Sequence, residues 1–482
     1  MIQLKQLFKG IKAELPSEYD HIGINKIQYD SRKIQAGDLF VAVKGFQSDG
    51  HDYLQQAKEK NVAAAVVEEV HNIPGLVQVK VPDSRVTMSL LAYNFYKEYL
   101  EKMVLIGITG TNGKTTTSYL VKSILDQAGL ACGLVGTIYY VVGNEMIDAW
   151  NTTPESVDLY AMIAEMQNKG NKACVLEVSS HALALHRVLG LKFDAAVFTN
   201  LSRDHMDFHK DMDAYFKDKS RLFEQLSEKG KAVVNQDDSY GKKLAESIHP
   251  VLTFGNDQKC DLYCENSDTT ADGTKLVLNI SGKAVGIHSK LIGDFNTSNI
   301  MAAAGVGAAL GIDNRHIKEG IENLHAVPGR LEPYRLNSGG LAVIDYAHTP
   351  DALEKALTTV RKITTQKLIV VFGCGGDRDR GKRPEMGKVA QKYADVLFIT
   401  DDNPRTENPK LIIDDIISGI NMNDQINIIY NRRDAITAAV KSAGKGDVVL
   451  IAGKGHEKYQ IIDKVKHNFD EVLIIREAET NA

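Results

Sequence analysis

Apolar residues fall in short runs separated by polar, glycine-rich turns, and the pattern changes twice along the chain. In the first hundred residues the runs 39–43 and 62–67 read as buried strands, with Gly37-Asp38, Gly45 and Asp49-Gly50 as turns between them. A helical stretch at 87–99 leads into the apolar run 103–109, which sets a boundary near residue 100. From there the order is strand, Gly-rich turn, helix at 115–128, then strands near 131–137, 173–178 and 194–199. That alternation predicts a parallel sheet covered by helices. Residues 258–290 place Asp272-Gly273 between period-2 apolar patterns such as 276–280, predicting an antiparallel excursion from the same domain. Pro328-Gly329-Arg330 follows a helical run and reads as a hinge or linker, so a second boundary falls near 330. Beyond it, strands at 341–346, 367–372, 396–400, 426–430 and 447–452 alternate with helical stretches. This is a doubly wound pattern, in which ligands bind beyond the carboxyl ends of the strands. The expected fold class is α/β in three domains: a small α/β unit at 1–100, a parallel-sheet domain at 101–330 with its antiparallel excursion, and a Rossmann-like doubly wound domain at 331–482.

Length agrees, since 482 residues at roughly 150 per domain make about three. A composition of 43% hydrophobic and 25% charged residues excludes wholesale disorder. The net charge of −5, with no basic block, gives no general footprint for nucleic acid or anionic lipid, so any anionic ligand is bound locally. Lys5, Lys9 and Lys12 interrupt the apolar residues at the start, unlike a secretory signal, and no apolar run approaches the roughly 20 residues of a spanning helix. Five cysteines, at 132, 174, 260, 264 and 374, fit a reducing, cytoplasmic setting. Cys260 and Cys264 have no second Cys or His pair at zinc spacing and read as strand residues.

Chemistry concentrates in loops after strands. Gly107-Ile-Thr-Gly-Thr-Asn-Gly-Lys-Thr-Thr-Thr117 sits between a buried run and a helix, the context a phosphate loop requires. Glycines let backbone N–H groups approach phosphates, Lys114 reaches the β/γ oxygens and Thr115 can ligate Mg²⁺, so ATP is the expected ligand. Ile108 stands where the longer form of the motif has Gly, so the match is to the shorter Gly-x-x-Gly-Lys-Thr form. Glu177 ends an apolar run; beside a phosphate loop it reads as a Mg²⁺ ligand, by itself as a solvated strand-end carboxylate. The loop 199–209 offers His205 as a ligand for a second cation, oriented by Asp204 or Asp207, or else it is a charged solvated loop. Tyr215 and Lys219 lie one helical turn apart, with Leu222 and Phe223 marking the buried side, so by spacing alone Lys219 is a surface lysine. His348 is either a nucleotide contact or a residue that starts a helix. Arg378 and Arg405, in the loops Gly373-Cys-Gly-Gly-Asp-Arg378 and Asp402-Asn-Pro-Arg405, suit bidentate grip of a carboxylate-bearing substrate.

Together, Gly110-Thr-Asn-Gly-Lys-Thr-Thr116, Glu177-Val-Ser-Ser-His181, Thr199-Asn-Leu-Ser-Arg-Asp-His205, Tyr215 with Lys219, Pro328-Gly-Arg330 and Asp345-Tyr-Ala-His348 resemble the Mur ligases. These are ATP-dependent amino-acid-adding enzymes of peptidoglycan synthesis. The resemblance runs from about residue 28 to 476 with the motifs in order, and it is strongest to the MurE branch. That branch adds the third stem-peptide residue to UDP-N-acetylmuramoyl-L-alanyl-D-glutamate.

The resemblance implies the following roles. The three domains bind the UDP substrate, ATP and the incoming amino acid. Gly110, Thr111, Asn112, Gly113, Lys114, Thr115 and Thr116, with Asn296, Arg330, Asp345 and His348, hold ATP. Tyr29, Ser31, Phe46, Gln47 and Ser48 hold the UDP part of the substrate, and Asn151, Thr152, Thr153, Ser179, Leu185 and Arg187 its muramoyl dipeptide end; Leu185 departs from the Gln of some relatives. Thr115 and Glu177 bind Mg²⁺, Lys219 is carbamylated by CO₂ and binds a second Mg²⁺ beside His205, and Lys114, Glu177, His205 and Lys219 form the catalytic set. ATP converts the D-Glu γ-carboxylate to an acyl phosphate, which the amine attacks.

Asp402, Asn403, Pro404 and Arg405 resemble the motif of relatives that use meso-2,6-diaminopimelate, whereas users of L-lysine typically lack the Arg. Diaminopimelate is lysine plus a distal carboxylate, which Arg405 would pair. Arg378, on a carboxylate, Gly453 and Glu457, on an ammonium, complete that site. The expected partners are these small molecules alone, with no nucleic acid, no membrane and a monomeric chain. Alternatives are an L-lysine-adding ligase, a folylpolyglutamate synthase, which would not predict the 402–405 motif, and a non-catalytic ATP-dependent binding module. A P-loop DNA motor would need a basic patch that the chain lacks.

Overall fold

Continuous β-branched and alanine runs become the central strands. Leu39–Val41 and Ala64–Val67 are buried at every position and pair in parallel, flanked by Ile27–Gln28 and Gln78–Lys80 in a four-stranded sheet. Asp83 caps the helix that follows, Ser84–Leu100, by accepting from Val86 N at 2.9 Å, and this helix packs against Ser156–Asn168. The computed structural model describes residues 1–46, 48–206 and 208–480. It divides into two units, Met1–Tyr263 with Ile280–Gly282 and Met301–Gly320, and Cys264–Asn279 with Lys283–Ile300 and Ile321–Ala482.

In the first unit the larger sheet runs Glu145–Asp148, Tyr139–Val142, Cys132–Val135, Ala173–Glu177, Val104–Thr109, Phe193–Phe198, Leu226–Asn235, Val251–Gly255, and then the first residues of Leu262–Thr270. Its pairs from Cys132–Val135 onward are parallel. Tyr139–Val142 and Glu145–Asp148 add an antiparallel hairpin, which sequence reading missed because Glu145–Asp148 is exposed throughout and lacks an apolar run. The phosphate-loop strand Val104–Thr109 lies between Ala173–Glu177 and Phe193–Phe198. Parallel pairing therefore brings Glu177 and Thr199 to the same sheet edge as the loop.

The second unit holds a six-stranded sheet in the order Glu332–Arg335, Leu341–Asp345, Val448–Ala452, Leu368–Phe372, Val396–Ile399, Ile426–Ile428. All pairs are parallel except the first. Alternation sends Leu341 and Val343 to one core, with Leu353, Leu357 and Ile413, and Ala342 and Ile344 to another, with Ile436 and Ile475. Helices thus cover both faces, as the doubly wound pattern predicts. The expected excursion is also present as Leu262–Thr270, Gly273–Ile280 and Lys283–Ser289.

Strand ends differ from the sequence expectation by a residue or two. Cys264 lies in the strand Leu262–Thr270, but Cys260 lies in the turn before it. The stretch Pro328-Gly329-Arg330 is not an open linker: Gly329 has φ +64°, and a Cβ there would strike His456 N and the Gly455 backbone. Among the described residues no helix is long and apolar enough to cross a membrane. The helix Met212–Ser220 depends on its cap, since Asp211 accepts from Ala214 N at 2.8 Å. Asp211→Ala is expected to cost about 1 kcal/mol and lower the melting temperature by a few degrees in scanning calorimetry.

Candidate active site

The phosphate loop is shaped by two left-handed glycines and tied to the neighbouring strand end. Gly113, at φ +84°, caps the helix Lys114–Gln127, and Gly110, at φ +145°, has no room for a Cβ against Thr199 Oγ1. Thr199 Oγ1 donates to Asn112 O at 2.6 Å, Asn200 O accepts from Thr111 N at 2.9 Å, and Asn200 Oδ1 accepts from Asn112 N at 2.9 Å. Lys114 Nζ donates to Gly110 O and Thr111 O, both at 2.9 Å, so the ammonium is held over the loop that would carry phosphate.

Glu177 is fully buried, not a solvated strand-end carboxylate. It accepts from Thr115 Oγ1 at 2.9 Å and from Thr137 N and Oγ1, both at 3.0 Å. Thr137 also meets Thr152 Oγ1 at 3.1 Å, while Thr153 Oγ1 donates to Glu177 O at 2.8 Å and accepts from Ser179 N at 3.1 Å. Thr115, Thr152, Thr153, Glu177 and Ser179 therefore form one connected group. Thr137 was missed in sequence; its signal is a hydroxyl just past the end of a strand in a parallel sheet.

Lys219 corrects the surface-lysine expectation. It is 1% exposed, with Nζ donating to Gly110 O at 2.8 Å and lying 4.6 Å from the Tyr215 ring centroid. Burial first, then the Lys114 charge, pulls it well below the usual lysine value, and burial pushes Tyr215 up to about 12. The buried side marked by Leu222 and Phe223 is correct, and Tyr215 and Lys219 share it, turned under the phosphate loop at Gly110. His205 is half exposed at φ +53°, 3.6 Å from Asp204, with its ring 5.0 Å from that of His181 and 6.4 Å from that of Tyr215. Sequence reading also missed His209, buried between Ser180 Oγ at 2.9 Å and Asp218 at 3.1 Å. Asp207 lies outside the described residues.

The structure places Tyr29 against Asp158, with the hydroxyl donating at 2.5 Å, and Ser31 O against Lys60 Nζ at 2.7 Å. Phe46 is 78% exposed, its ring 6.2 Å from Phe208; Ser48 is exposed, and Gln47 lies outside the described residues. Arg187 donates to Glu155 at 3.0 Å and to Thr153 O at 3.0 Å, which joins it to the Glu177 group. Asn151 exchanges bonds with the Tyr140 hydroxyl, and Leu185 is half-buried at the end of the helix Ser180–Ala184, which Ser179 caps.

In the second unit, Asp345 accepts from Leu331 N and Ala347 N, both at 2.9 Å; burial raises its carboxyl and Arg330 opposes the rise. Arg330 lies over the Tyr346 ring at 5.2 Å, and exposed His348 meets Tyr346 O at 2.9 Å. Asn296 is buried, donating to Ile292 O and accepting from Asn299. The loops at 373–378 and 402–405 are interlocked: Gly376 N donates to Asn403 O at 2.9 Å, and Arg405 Nη1 to Gly376 O at 2.7 Å. Pro404 O packs on Gly376, and Arg378 is exposed. Asn403 donates to Glu457 at 3.0 Å, and Gly453, at φ +123°, lies beside Asp402. Arg383, missed in sequence, is buried with bonds to Glu407, Asp415 and Gly375 O.

The oxygen donors of Thr115 and Glu177, 2.9 Å apart beside a phosphate loop, fit a hard cation such as Mg²⁺. His205 pairs with Asp204 rather than with these donors, and no group of three or more His, Cys, Asp or Glu among the described residues gathers at metal-ligand spacing.

Comparison with known proteins covers nearly the whole chain. Residues 23–98 match the Mur ligase family catalytic domain, 108–307 the Mur ligase middle domain and 329–455 the Mur ligase glutamate ligase domain. A protein of Geobacter metallireducens named UDP-N-acetylmuramoyl-L-alanyl-D-glutamate–2,6-diaminopimelate ligase is 43% identical over 472 residues, 93% of this chain and 92% of its own. A ligase of the same name from Clostridium acetobutylicum is 41% identical over 99% of both chains. A solved structure of a ligase so named superposes with a TM-score of 0.76 at 32% identity, covering 100% of this chain and 99% of that one. The MurF ligase of Thermotoga maritima, solved with ADP, shares the fold at a TM-score of 0.64 and 20% identity, covering 95% of this chain and 99% of that one. With these matches and a phosphate loop closed on Glu177 and Lys219, the chain belongs to the Mur ligase family.

Proposed function

We propose that the chain is an ATP-dependent, ADP-forming ligase that joins meso-2,6-diaminopimelate to UDP-N-acetylmuramoyl-L-alanyl-D-glutamate in peptidoglycan precursor synthesis. The observation that carries this reading is near full-length identity of 40–43% to ligases of that name, in a chain that has Asp402-Asn-Pro-Arg405. The three domains would be 1–100 for the UDP substrate, 101–330 for ATP and 331–482 for the amino acid. We place the enzyme in the cytoplasm as a monomer without nucleic-acid or membrane partners.

A carboxylate is a poor acylating agent, so the γ-phosphoryl group of ATP passes to the D-Glu γ-carboxylate, giving an acyl phosphate and ADP. The diaminopimelate amine then attacks the carbonyl carbon, phosphate leaves, and the new amide nitrogen loses a proton. Backbone N–H groups of 110–116 and the Lys114 ammonium would hold the phosphates and offset charge on the transferring group. Thr115 and Glu177 would hold one Mg²⁺, which neutralises phosphate charge when bound, and His205 with a carbamate on Lys219 would hold a second, which brings the substrate carboxylate to the phosphoryl group. The Lys219 carbamate forms when the neutral amine adds to CO₂ and loses a proton, and burial of the amine favours that neutral form. Asn296, Arg330, Asp345 and His348 would complete the ATP site. Tyr29, Ser31, Phe46, Gln47 and Ser48 would hold the UDP end, and Asn151, Thr152, Thr153, Ser179, Leu185 and Arg187 the dipeptide end. Arg378, Asp402, Asn403, Pro404, Arg405, Gly453 and Glu457 would hold diaminopimelate.

The test is phosphate release with ATP, Mg²⁺ and the UDP-dipeptide, comparing diaminopimelate with L-lysine. Turnover with diaminopimelate is expected. Preference for lysine would overturn the substrate, and silence with both, in protein that binds ATP, would favour a non-catalytic module.

A further inference from the structure

Lys454 has no role in the site as described, yet its side chain is fully buried where three segments meet. Nζ donates to Asn403 Oδ1 at 2.8 Å and to Tyr459 O at 2.9 Å, and lies 3.2 Å from Asp402 Oδ1 and 4.0 Å from Glu457 Oε2. Two hydrogen bonds and the ion-pair contact with Asp402, whose buried Oδ1 makes no hydrogen bond, enclose the ammonium. Asn403 Oδ1 also accepts from Ile461 N at 2.9 Å, so the amide has one orientation, with its NH₂ directed to Glu457 at 3.0 Å. The same hairpin, Tyr459–Ile462 with Val465–Asn468, holds the Arg405 backbone: Arg405 N donates to Ile461 O at 3.0 Å, and Asp463 N to Arg405 O at 3.0 Å. Lys454 thus joins the segment carrying Glu457, the loop carrying Arg405 and the hairpin between them.

We propose that Lys454 is a positioning and specificity-determining residue of the amino-acid pocket, setting Glu457 and Arg405 at the spacing that a distal ammonium and carboxylate require. This rests on the reading of the chain as a diaminopimelate-adding ligase. The charge argument runs in the same direction as the geometry. Asp402 and Glu457 are two carboxylates within reach of one ammonium; without it, their charge would attract the bare side-chain ammonium of lysine and repel a substrate bearing a further carboxylate. With Lys454 present, the pocket can discriminate in favour of the diamino diacid.

Steady-state kinetics on the full chain test this. Lys454→Gln is expected to raise KM for diaminopimelate about tenfold or more, to leave KM for ATP and for the UDP-dipeptide unchanged, and to lower the preference for diaminopimelate over lysine. Lys454→Arg, which keeps the charge and donors, is expected to recover part of the loss. An unchanged KM for diaminopimelate, with kcat reduced alike for both amines, would overturn the proposal in favour of a purely structural lysine. Because removing one partner of a buried ion pair can unfold a protein, Asp402→Asn is compared with and without Lys454→Met as a second route. A higher KM in the double variant supports the proposal, and equal values overturn it. Wild-type turnover of lysine but not diaminopimelate would instead overturn the underlying reading, and the same KM comparison made with lysine would decide the role of Lys454 there.

Discussion

Lys219→Ala is expected to lower turnover about a thousandfold while leaving ATP binding and the melting temperature close to those of the wild type. The ammonium of a free lysine at this position would sit beside Lys114 and under the Gly110 carbonyl, where burial and like charge both disfavour it. A neutral amine can add to CO₂, and the resulting carbamate exchanges a positive charge for a negative one beside the phosphate loop. Alanine removes both possibilities and leaves a cavity open to a small carboxylate. High bicarbonate or acetate is therefore expected to restore part of the activity to the Ala variant and none to a Lys219→Met variant, in which the side chain fills the space. ¹³C-bicarbonate NMR of the wild type should show a carbamate signal that the variant lacks. Since protonation of the amine opposes carbamate formation, wild-type activity should fall as pH drops through the lowered pKa of Lys219. Full activity in Lys219→Ala would remove the carbamate from the mechanism.

Arg405→Ala is expected to cut kcat/KM for diaminopimelate about a hundredfold, equivalent to roughly 2–3 kcal/mol for a lost charged hydrogen bond, mostly through KM. The fold should persist, because the loop is held by main-chain bonds: Arg405 N to Ile461 O and Asp463 N to Arg405 O, each at 3.0 Å. Arg405 already adopts φ +53°, so alanine adds no backbone strain that arginine does not bear. The one side-chain bond given up within the protein, from Nη1 to Gly376 O at 2.7 Å, leaves a carbonyl at a partly exposed loop. An unchanged KM for diaminopimelate would refute the contact, and a gain with lysine would show that Arg405 also excludes the competitor.

The order of strands and helices was readable from apolar runs, because parallel strands buried on both faces, such as Ala173–Glu177 and Leu368–Phe372, are continuous in β-forming residues. The hairpin of Tyr139–Val142 with Glu145–Asp148 escaped notice because its outer strand is exposed throughout and carries no such run. The chemistry of the phosphate loop was local: Gly110 to Thr116 lie within one turn and one helix start, so spacing alone predicts phosphate binding. The partners that make it a site are not local. Glu177 is 62 positions from Thr115 and Lys219 is 109 from Gly110, and only parallel pairing and the packing of the helix Met212–Ser220 bring them together.

By itself, then, the sequence determined the α/β class, the phosphate loop, the loops that follow strands and the family likeness that names their roles. Each rests on a periodicity or a contiguous motif. Tertiary structure alone decided which charges are buried. Lys219 reads by spacing alone as a surface lysine, and Lys454 and Arg383 carry no sequence signal, yet each is enclosed among carbonyl or carboxylate oxygens from distant segments. The physical reason is that the cost of burying a charge is met by partners, and partners are assembled by the fold rather than by neighbours along the chain.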